Sequence, residues 1–379
     1  MQKSWKELPP VDPQPDLLHW LAELQGPTDD DLGRPVDRGI QILAQTLHRR
    51  GFRTLEQARQ FMLAEAYQPA PADELPGMQI AVDRLLQAID KGETILVWGD
   101  FDVDGQTSTS LLVSALRQLG GKVRWHIPVR ANESHGVNIP VLSKLLDDYN
   151  QSRISLVLTC DTGISAVEAV DYANRQGVQV LVTDHHELPP KLPEALTLIN
   201  PNFLPEEHPL HSLPGVGVAY KLAEALFQAA GRGVEVEQFL DLAAVGCVAD
   251  VAQLRGETRY LVQSGLNQLR TNPRPALAAL LQSSSVEIMR TSEEHISFAL
   301  APRLNAVGRL SDANPIVNFL LSENPVEIAV MVNQIEGLNT QRKYLSDQVF
   351  QGALTQLEQE RSLLDQPILI LHHQEWPAG

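Results

Sequence analysis

Cysteine is nearly absent. Cys160 and Cys247 are the only two in 379 residues, too few for a disulfide framework, so a reducing cytoplasm is the expected setting. No apolar run approaches the ~20 residues that cross a bilayer, and no membrane association is expected. Met1-Gln2-Lys3-Ser4-Trp5-Lys6-Glu7 has no apolar stretch behind its positive charge, so no secretory signal is expected either. Basic residues are in deficit, 30 Lys and Arg against 47 Asp and Glu, for a net charge of −17. A uniformly acidic surface repels phosphates, so a polyanionic partner would have to meet a locally positive or metal-loaded patch. Composition alone favours a small-molecule enzyme. Internal repeats and low-complexity tracts are missing as well, and the length argues for two or three domains.

What is present divides the chain. Residues 1–75 read as a helical N-terminal region, with apolar residues at helical spacing over 37–48 and 54–64 and Thr54 placed as an N-cap. The prolines of Gln68-Pro69-Ala70-Pro71-Ala72 break it. A helix over 78–88 then leads to strands predicted at 94–97, 123–127, 154–159, 178–182 and 196–199. These alternate with helices at 107–119, 139–149 and 165–176. Such alternation predicts an α/β fold, a mostly parallel sheet with helices on both faces. Helical stretches follow at 218–229, 236–248, 264–269 and 274–281. From Pro325 to about Leu364 a long helix reads as a connector, and Pro367-Ile368-Leu369-Ile370-Leu371 reads as a new strand. The expected division is therefore 1–75, 76–323 with a helical subdomain, the connector 324–365, and the start of a further domain at 366–379.

In open parallel sheets, ligands bind beyond the carboxyl ends of the strands. Asp100, Asp102 and Asp104 follow the first strand in Gly99-Asp100-Phe101-Asp102-Val103-Asp104-Gly105, Asp161 follows the third, and Asp184-His185-His186 follows the fourth. Carboxylates at this density repel one another unless a cation neutralises them. In an extended segment the alternate aspartates would face one way, with Gly105 freeing the backbone before a helix at Thr107. A calcium loop of the D-x-D-x-D-G type needs a glutamate six residues past the glycine, where Leu111 stands. Imidazole beside carboxylate suits Mn²⁺, Zn²⁺ or Fe²⁺. Adjacent histidines in an extended segment would point opposite ways, one to a metal and one to substrate. Asp250, at the end of an apolar run, reads on its own as a helix cap.

These motifs, with Cys160-Asp161-Thr162-Gly163-Ile164-Ser165 and Val182-Thr183-Asp184-His185-His186, resemble those of the DHH phosphoesterase superfamily. Ile127-Pro128-Val129-Arg130, Asn200-Pro201, Gly215-Val216-Gly217-Val218-Ala219, Ala244–Val251 and above all Ala301-Pro302-Arg303-Leu304-Asn305-Ala306-Val307-Gly308-Arg309 narrow the resemblance to the RecJ family of single-stranded-DNA-specific exonucleases. The resemblance implies a Mn²⁺- or Mg²⁺-dependent phosphodiesterase that uses two ions and degrades single-stranded DNA in the 5′→3′ direction in DNA repair and recombination. It implies Asp102, Asp104, Asp161, His185 and Asp250 as metal ligands, with Asp161 bridging. His186, Asp161 and Asp100 would be the catalytic groups, and Arg130, Arg303, Asn305 and Arg309 the substrate contacts. A monomer is expected, with a single-strand-binding protein or a helicase as protein partner.

Phe101 stands where the family commonly has Tyr, and Ser134-His135-Gly136 stands for a usual Gly-Tyr-Gly. The family also continues into a DHHA1 domain and an oligonucleotide-binding fold, so the chain is expected to stop near the start of DHHA1. The rival reading is a small-molecule phosphohydrolase of the same superfamily, acting on pyrophosphate, a cyclic dinucleotide or a short oligonucleotide.

Overall fold

The structure, a computed structural model, describes residues 11–25, 38–148 and 152–376. Strands β1 (Thr94–Trp98), β2 (Lys122–His126), β3 (Ile154–Cys160), β4 (Gln179–Thr183) and β5 (Thr197–Ile199) pair in parallel in the order β2-β1-β3-β4-β5. Each lies within a residue of its expected bounds. In β1, β3 and β4 a Val/Ile/Leu run marks a strand buried on both faces, whereas the edge strand β2, Lys-Val-Arg-Trp-His, is only partly buried. Alternate side chains of β1 go to opposite sides. Ile95 and Val97 join the larger core, and Leu96 and Trp98 join a smaller one. Helices Ile139–Leu146 and Val167–Arg175 cover the smaller side. Met78–Asp90, Val103–Gln118, Gly215–Ala229 and Leu240–Ala249 cover the larger.

The chain leaves β1 for β2 and then returns to lay β3 along β1's other edge. The carboxyl ends of β1 and β3 therefore flank a topological switch point, the crevice where open parallel sheets hold ligands.

Several helices depart from expectation. The one predicted from Thr107 begins at Val103, because Asp102 caps it, its Oδ1 accepting the Gly105 N–H at 3.0 Å. The aspartates of the acidic loop thus do not alternate along an extended segment, and Gly105 lies inside the first helical turn. The segment over 236–248 is a 3₁₀ helix Gly233–Phe239 followed by the helix Leu240–Ala249. The helix expected over 264–269 spans Gly256–Thr271. Ala301–Leu310 and Asn314–Leu321 are helices that hydropathy did not reveal. Pro325–Gln359 is one helix of 35 residues, with open space around Gly337. Past it, 367–371 forms no strand. Ile368 and Ile370 are exposed and no described strand lies alongside to pair with them. Asp37 and Tyr149, ends of two expected helices, lie outside the described residues.

The N-terminal helices Pro15–Gln25, Arg38–Arg49 and Leu55–Met62 enclose their own small core around Leu17, Leu21, Leu47 and Ala58. Thr54 caps the third as expected, in a capping box with Gln57. Behind the sheet, fully buried Lys221 donates to the Ala70 carbonyl at 2.7 Å and to Glu257 at 3.0 Å. Glu257 in turn accepts the Ala70 N–H, also at 3.0 Å. This cluster ties the proline-rich break to the Gly215–Ala229 and Gly256–Thr271 helices. Removing one member of a buried pair leaves the other charge uncompensated. Lys221→Met is therefore expected to destabilise the protein by about 3–5 kcal/mol in urea denaturation. A loss below about 1 kcal/mol, the level of a surface pair, would show that the cluster does not hold this junction.

Candidate metal centre

The sheet edge brings the predicted residues together. Asp104 is buried in the first turn of the Val103–Gln118 helix. Its two oxygens accept the N–H groups of Gly215 and Val216, each at 2.7 Å. Those donors open the Gly215–Ala229 helix, where free N–H groups and the helix dipole favour an anion. Asp161 follows β3 with φ of 59°, a left-handed conformation that Asp tolerates better than most residues. Its side chain lies against Gly215, where a Cβ would stand 2.6 Å from that of Asp161. Only glycine fits there.

His185 Nε2 lies 3.0 Å from Asp161 Oδ1 and 3.7 Å from Asp104 Oδ2. The Asp161 oxygen is buried and has no hydrogen-bond partner, so the imidazole N–H does not point at it. Burial, then the neighbouring His186, lower the His185 pKa to about 4. At neutral pH it is an uncharged imidazole beside carboxylates, which is the state of a metal ligand.

Two trios of donor atoms lie within 4.8 Å of one another, Asp161 with His185 and His186, and Asp104 with His185 and Asp250. His185 belongs to both. Asp100 and Asp102 flank the trios without joining either. The histidine rings sit 4.6 Å apart rather than on opposite sides of a strand, because the chain leaves β4 at Thr183. Asp184 sets this local path. It accepts the N–H groups of Ile164, His185 and His186 and pairs with His186 Nδ1 at 2.7 Å. Asn200 and Asn202 hold the His185 and His186 carbonyls from the far side. Neither the anchoring by Asp184 nor the role of Asn202 was visible in sequence. The signal available was the Asp-His-His and Asn-Pro-Asn spacing at the ends of adjacent strands.

The electrostatics are those of a site built around missing positive charge. Burial, then Asp102, push the Asp100 and Asp250 carboxyls up to about 6. Burial and neighbouring carboxylates hold Asp104 and Asp161 well above the usual range. Asp184 goes the other way. Burial would raise it, but the hydrogen bond and charge of His186 and the backbone donors outweigh that and leave it lowered. The bond to Asp184 raises His186 to about 9 despite burial, so it is protonated at neutral pH. Carboxylate oxygens, a neutral imidazole and an orphaned buried oxygen fit a divalent cation, and Mn²⁺ accepts both ligand types.

The expected substrate contacts are distributed around this centre. Arg130 lies over the Phe101 ring at 5.1 Å, and His135 packs on the same ring at 4.9 Å. Asn305 and exposed Arg309, four apart on the Ala301–Leu310 helix, share a face. That helix abuts the acidic loop at Gly308, where a Cβ would collide with the Phe101 carbonyl. Arg303 is already engaged, with Nε 2.7 Å from Glu336 and Nη1 on the Ala299 carbonyl.

Residues 94–247 match the DHH family, N-terminal domain. The single-stranded-DNA-specific exonuclease RecJ of Bacillus subtilis is 37% identical over 96% of this chain and 45% of its own length. The Escherichia coli RecJ is 36% identical over 82% of this chain and 55% of its own. A crystal structure of exonuclease RecJ bound to manganese superposes with a TM-score of 0.69 at 33% identity, covering 76% of this chain and 72% of that one. The chain belongs to the RecJ family. The Thermus thermophilus RecJ with Mn²⁺ gives a TM-score of 0.71 at 30% identity, covering 83% of this chain and 44% of that one. The chain spans about half the length of the curated RecJ relatives it matches. No described helix is long and apolar enough to cross a membrane.

Mn²⁺ is expected to raise the melting temperature by relieving repulsion among the carboxylates. In Asp161→Asn most of that shift should vanish, while the metal-free protein, with one like charge fewer, melts about 2–4 °C higher. An undiminished Mn²⁺ shift in the variant would remove Asp161 from the site.

Proposed function

We propose that this chain is a 5′→3′ exonuclease that hydrolyses phosphodiesters of single-stranded DNA with Mn²⁺ or Mg²⁺. The observation that carries the reading is the buried, unpartnered Asp161 Oδ1 beside neutral His185 at the switch point, in a chain of the RecJ family. Asp102, Asp104, Asp161, His185 and Asp250 would hold the two ions. Bound there, paired divalent cations supply Lewis acidity and lower the pKa of water for an in-line displacement.

The chain's own residues do the rest. His186 is turned by Asp184, which takes its Nδ1. Its Nε2–H is left to donate to a phosphate oxygen or to the departing oxygen, and the imidazolium charge favours both. Asp100, beside it and poised near neutrality at about 6, can accept a proton at its carboxylate. Arg130 on its Phe101 platform, Asn305 and Arg309 would bind phosphates flanking the cut. Arg303 can join them only by leaving Glu336. This reading takes 76–323 as the catalytic unit with its helical subdomain, 1–75 as a helical annex, 324–365 as a connector and 366–379 as the opening of a further domain. The setting is cytoplasmic DNA repair and recombination. The chain would act as a monomer alongside a single-strand-binding protein or a helicase.

The test is Mn²⁺-dependent release of nucleotides from an end-labelled single strand. Asp161→Ala should fall to background. His186→Ala should lose about 10²–10⁴-fold in rate while keeping the Mn²⁺ melting shift, which separates acid catalysis from metal holding. Turnover of pyrophosphate with single strands untouched would favour the small-molecule phosphohydrolase.

A further inference from the structure

The metal centre opens to one side into a 530 Å³ cleft that runs from His185 and Asp250 to Tyr67, Arg255 and Gly256. The last three residues also line a second cavity of 290 Å³, between the N-terminal helices and the Gly256–Thr271 helix. The two cavities therefore adjoin, with these three residues at their common border. Near the metals the wall is mixed in charge, with Glu206 and Glu207 beside His208 and His211. Past Tyr67 the character changes. Arg50, Arg255 and Arg259 converge there with Phe52, Phe61 and Tyr67, and no carboxylate is among the lining residues. This occurs in a chain whose acidic residues outnumber its basic ones by 47 to 30. A further 600 Å³ hollow, lined by the same three arginines, adjoins it.

The local architecture is built to hold this arrangement. Arg259 donates from Nε to the Phe61 carbonyl and lays its guanidinium 3.8 Å over the Phe61 ring. Phe61 stacks on Phe52 at 4.1 Å, and Tyr67 stacks on Tyr260 at 5.6 Å. Arg50 and Arg255 are exposed. Guanidinium groups match phosphate oxygens in geometry and charge, and aromatic surface stacks on bases without regard to sequence. Alternating cation and aromatic along a groove is how single strands are held without sequence preference.

We propose that the adjoining cavities form a groove that carries the body of a single-stranded DNA substrate away from the metal centre, with Arg50, Arg255 and Arg259 as its distal phosphate clamp. The N-terminal helices then form one wall of the substrate track. The proposal rests on the exonuclease reading above and extends it to residues in none of the motifs. It also reconciles a chain charge of −17 with a polyanion, since three arginines meet in one cavity whose lining holds no carboxylate.

The test uses the Asp161→Asn chain, which keeps the groove but is not expected to cut. Binding of a fluorescein-labelled oligothymidylate is followed by anisotropy across a salt series. Adding Arg50→Ala and Arg255→Ala, both exposed and remote from packed cores, should weaken binding roughly ten-fold and flatten the log–log salt slope by about 1.4, the share of two phosphate contacts on a single strand. The corresponding lysine pair should keep the slope. Trinucleotides, too short to reach the cavity, should bind equally to the parent and to the alanine pair. Unchanged affinity and slope in the alanine pair, or a parent that binds no strand, overturns the track. Hydrolysis of bis(p-nitrophenyl) phosphate by the unmodified chain with Mn²⁺ reports on the metal centre separately, so failure of the track and failure of the exonuclease reading are distinguishable.

Discussion

The two backbone N–H groups of Gly215 and Val216 on the carboxylate of Asp104 are the contact on which the rest of the site depends. A carboxylate buried this completely is costly unless its oxygens are hydrogen-bonded, and a helix N-terminus offers donors already aimed. The contact docks the Gly215–Ala229 helix onto the first turn of the Val103–Gln118 helix, end against end. That docking brings Gly215 against Asp161, so the same approach that satisfies Asp104 leaves Asp161 pressed on a residue with no side chain and no donor for its Oδ1. One aspartate is satisfied by protein and the other is left for something else. Two buried aspartates of one cluster thus differ in whether the protein satisfies their oxygens.

The histidines follow the same division of labour. Asp184 is held by three backbone donors and its pKa is lowered, so it is a fixed negative charge that orients His186 and favours its protonated form. His185, one residue away, has no carboxylate hydrogen-bonded to its ring, and burial keeps it neutral. Two adjacent side chains of one type thus carry opposite protonation states at neutral pH. The difference is set by which of them receives the Asp184 oxygen. An imidazole can ligate a metal only when neutral and can give up a proton as an acid only when protonated, and the turn after β4 holds one of each state.

Much of this was legible in sequence, for identifiable reasons. Strands β1, β3 and β4 can be read because each is an apolar run, and Asp100, Asp161 and Asp184 stand past those runs on one edge. Helix starts were read less well. The Val103–Gln118 helix opens inside the acidic loop, since the aspartates that read as ligands on an extended segment also serve as cap and first-turn residues. Asp102 does both. The direction of the two histidine rings was misjudged because the period-two rule holds only within a strand, and Thr183 is where the strand ends. The clasp of Asp104 by Gly215 and Val216, 111 and 112 positions away, rests on backbone atoms, which no residue pattern displays. Net charge is a sum over the whole chain and does not display that Arg50, Arg255 and Arg259 meet in one cavity.

The Ala301–Leu310 helix links the acidic loop to the long Pro325–Gln359 helix. On one side Gly308 sits against the Phe101 carbonyl, and Gln106 Nε2 bridges that carbonyl to the carbonyl of Leu304. On the other side Arg303 pairs with Glu336. A π-helical turn over Ile296–Leu300 precedes it, an irregularity that tends to be kept where a helix must be set at a particular angle. The helix that carries Asn305 and Arg309 is therefore clamped between the loop that holds Asp100, Asp102 and Asp104 and the Pro325–Gln359 helix. A displacement of the long helix would pull on Glu336 and so on Arg303, two helical turns from Arg309. The Arg303–Glu336 pair thus ties the Pro325–Gln359 helix to the helix that abuts the acidic loop.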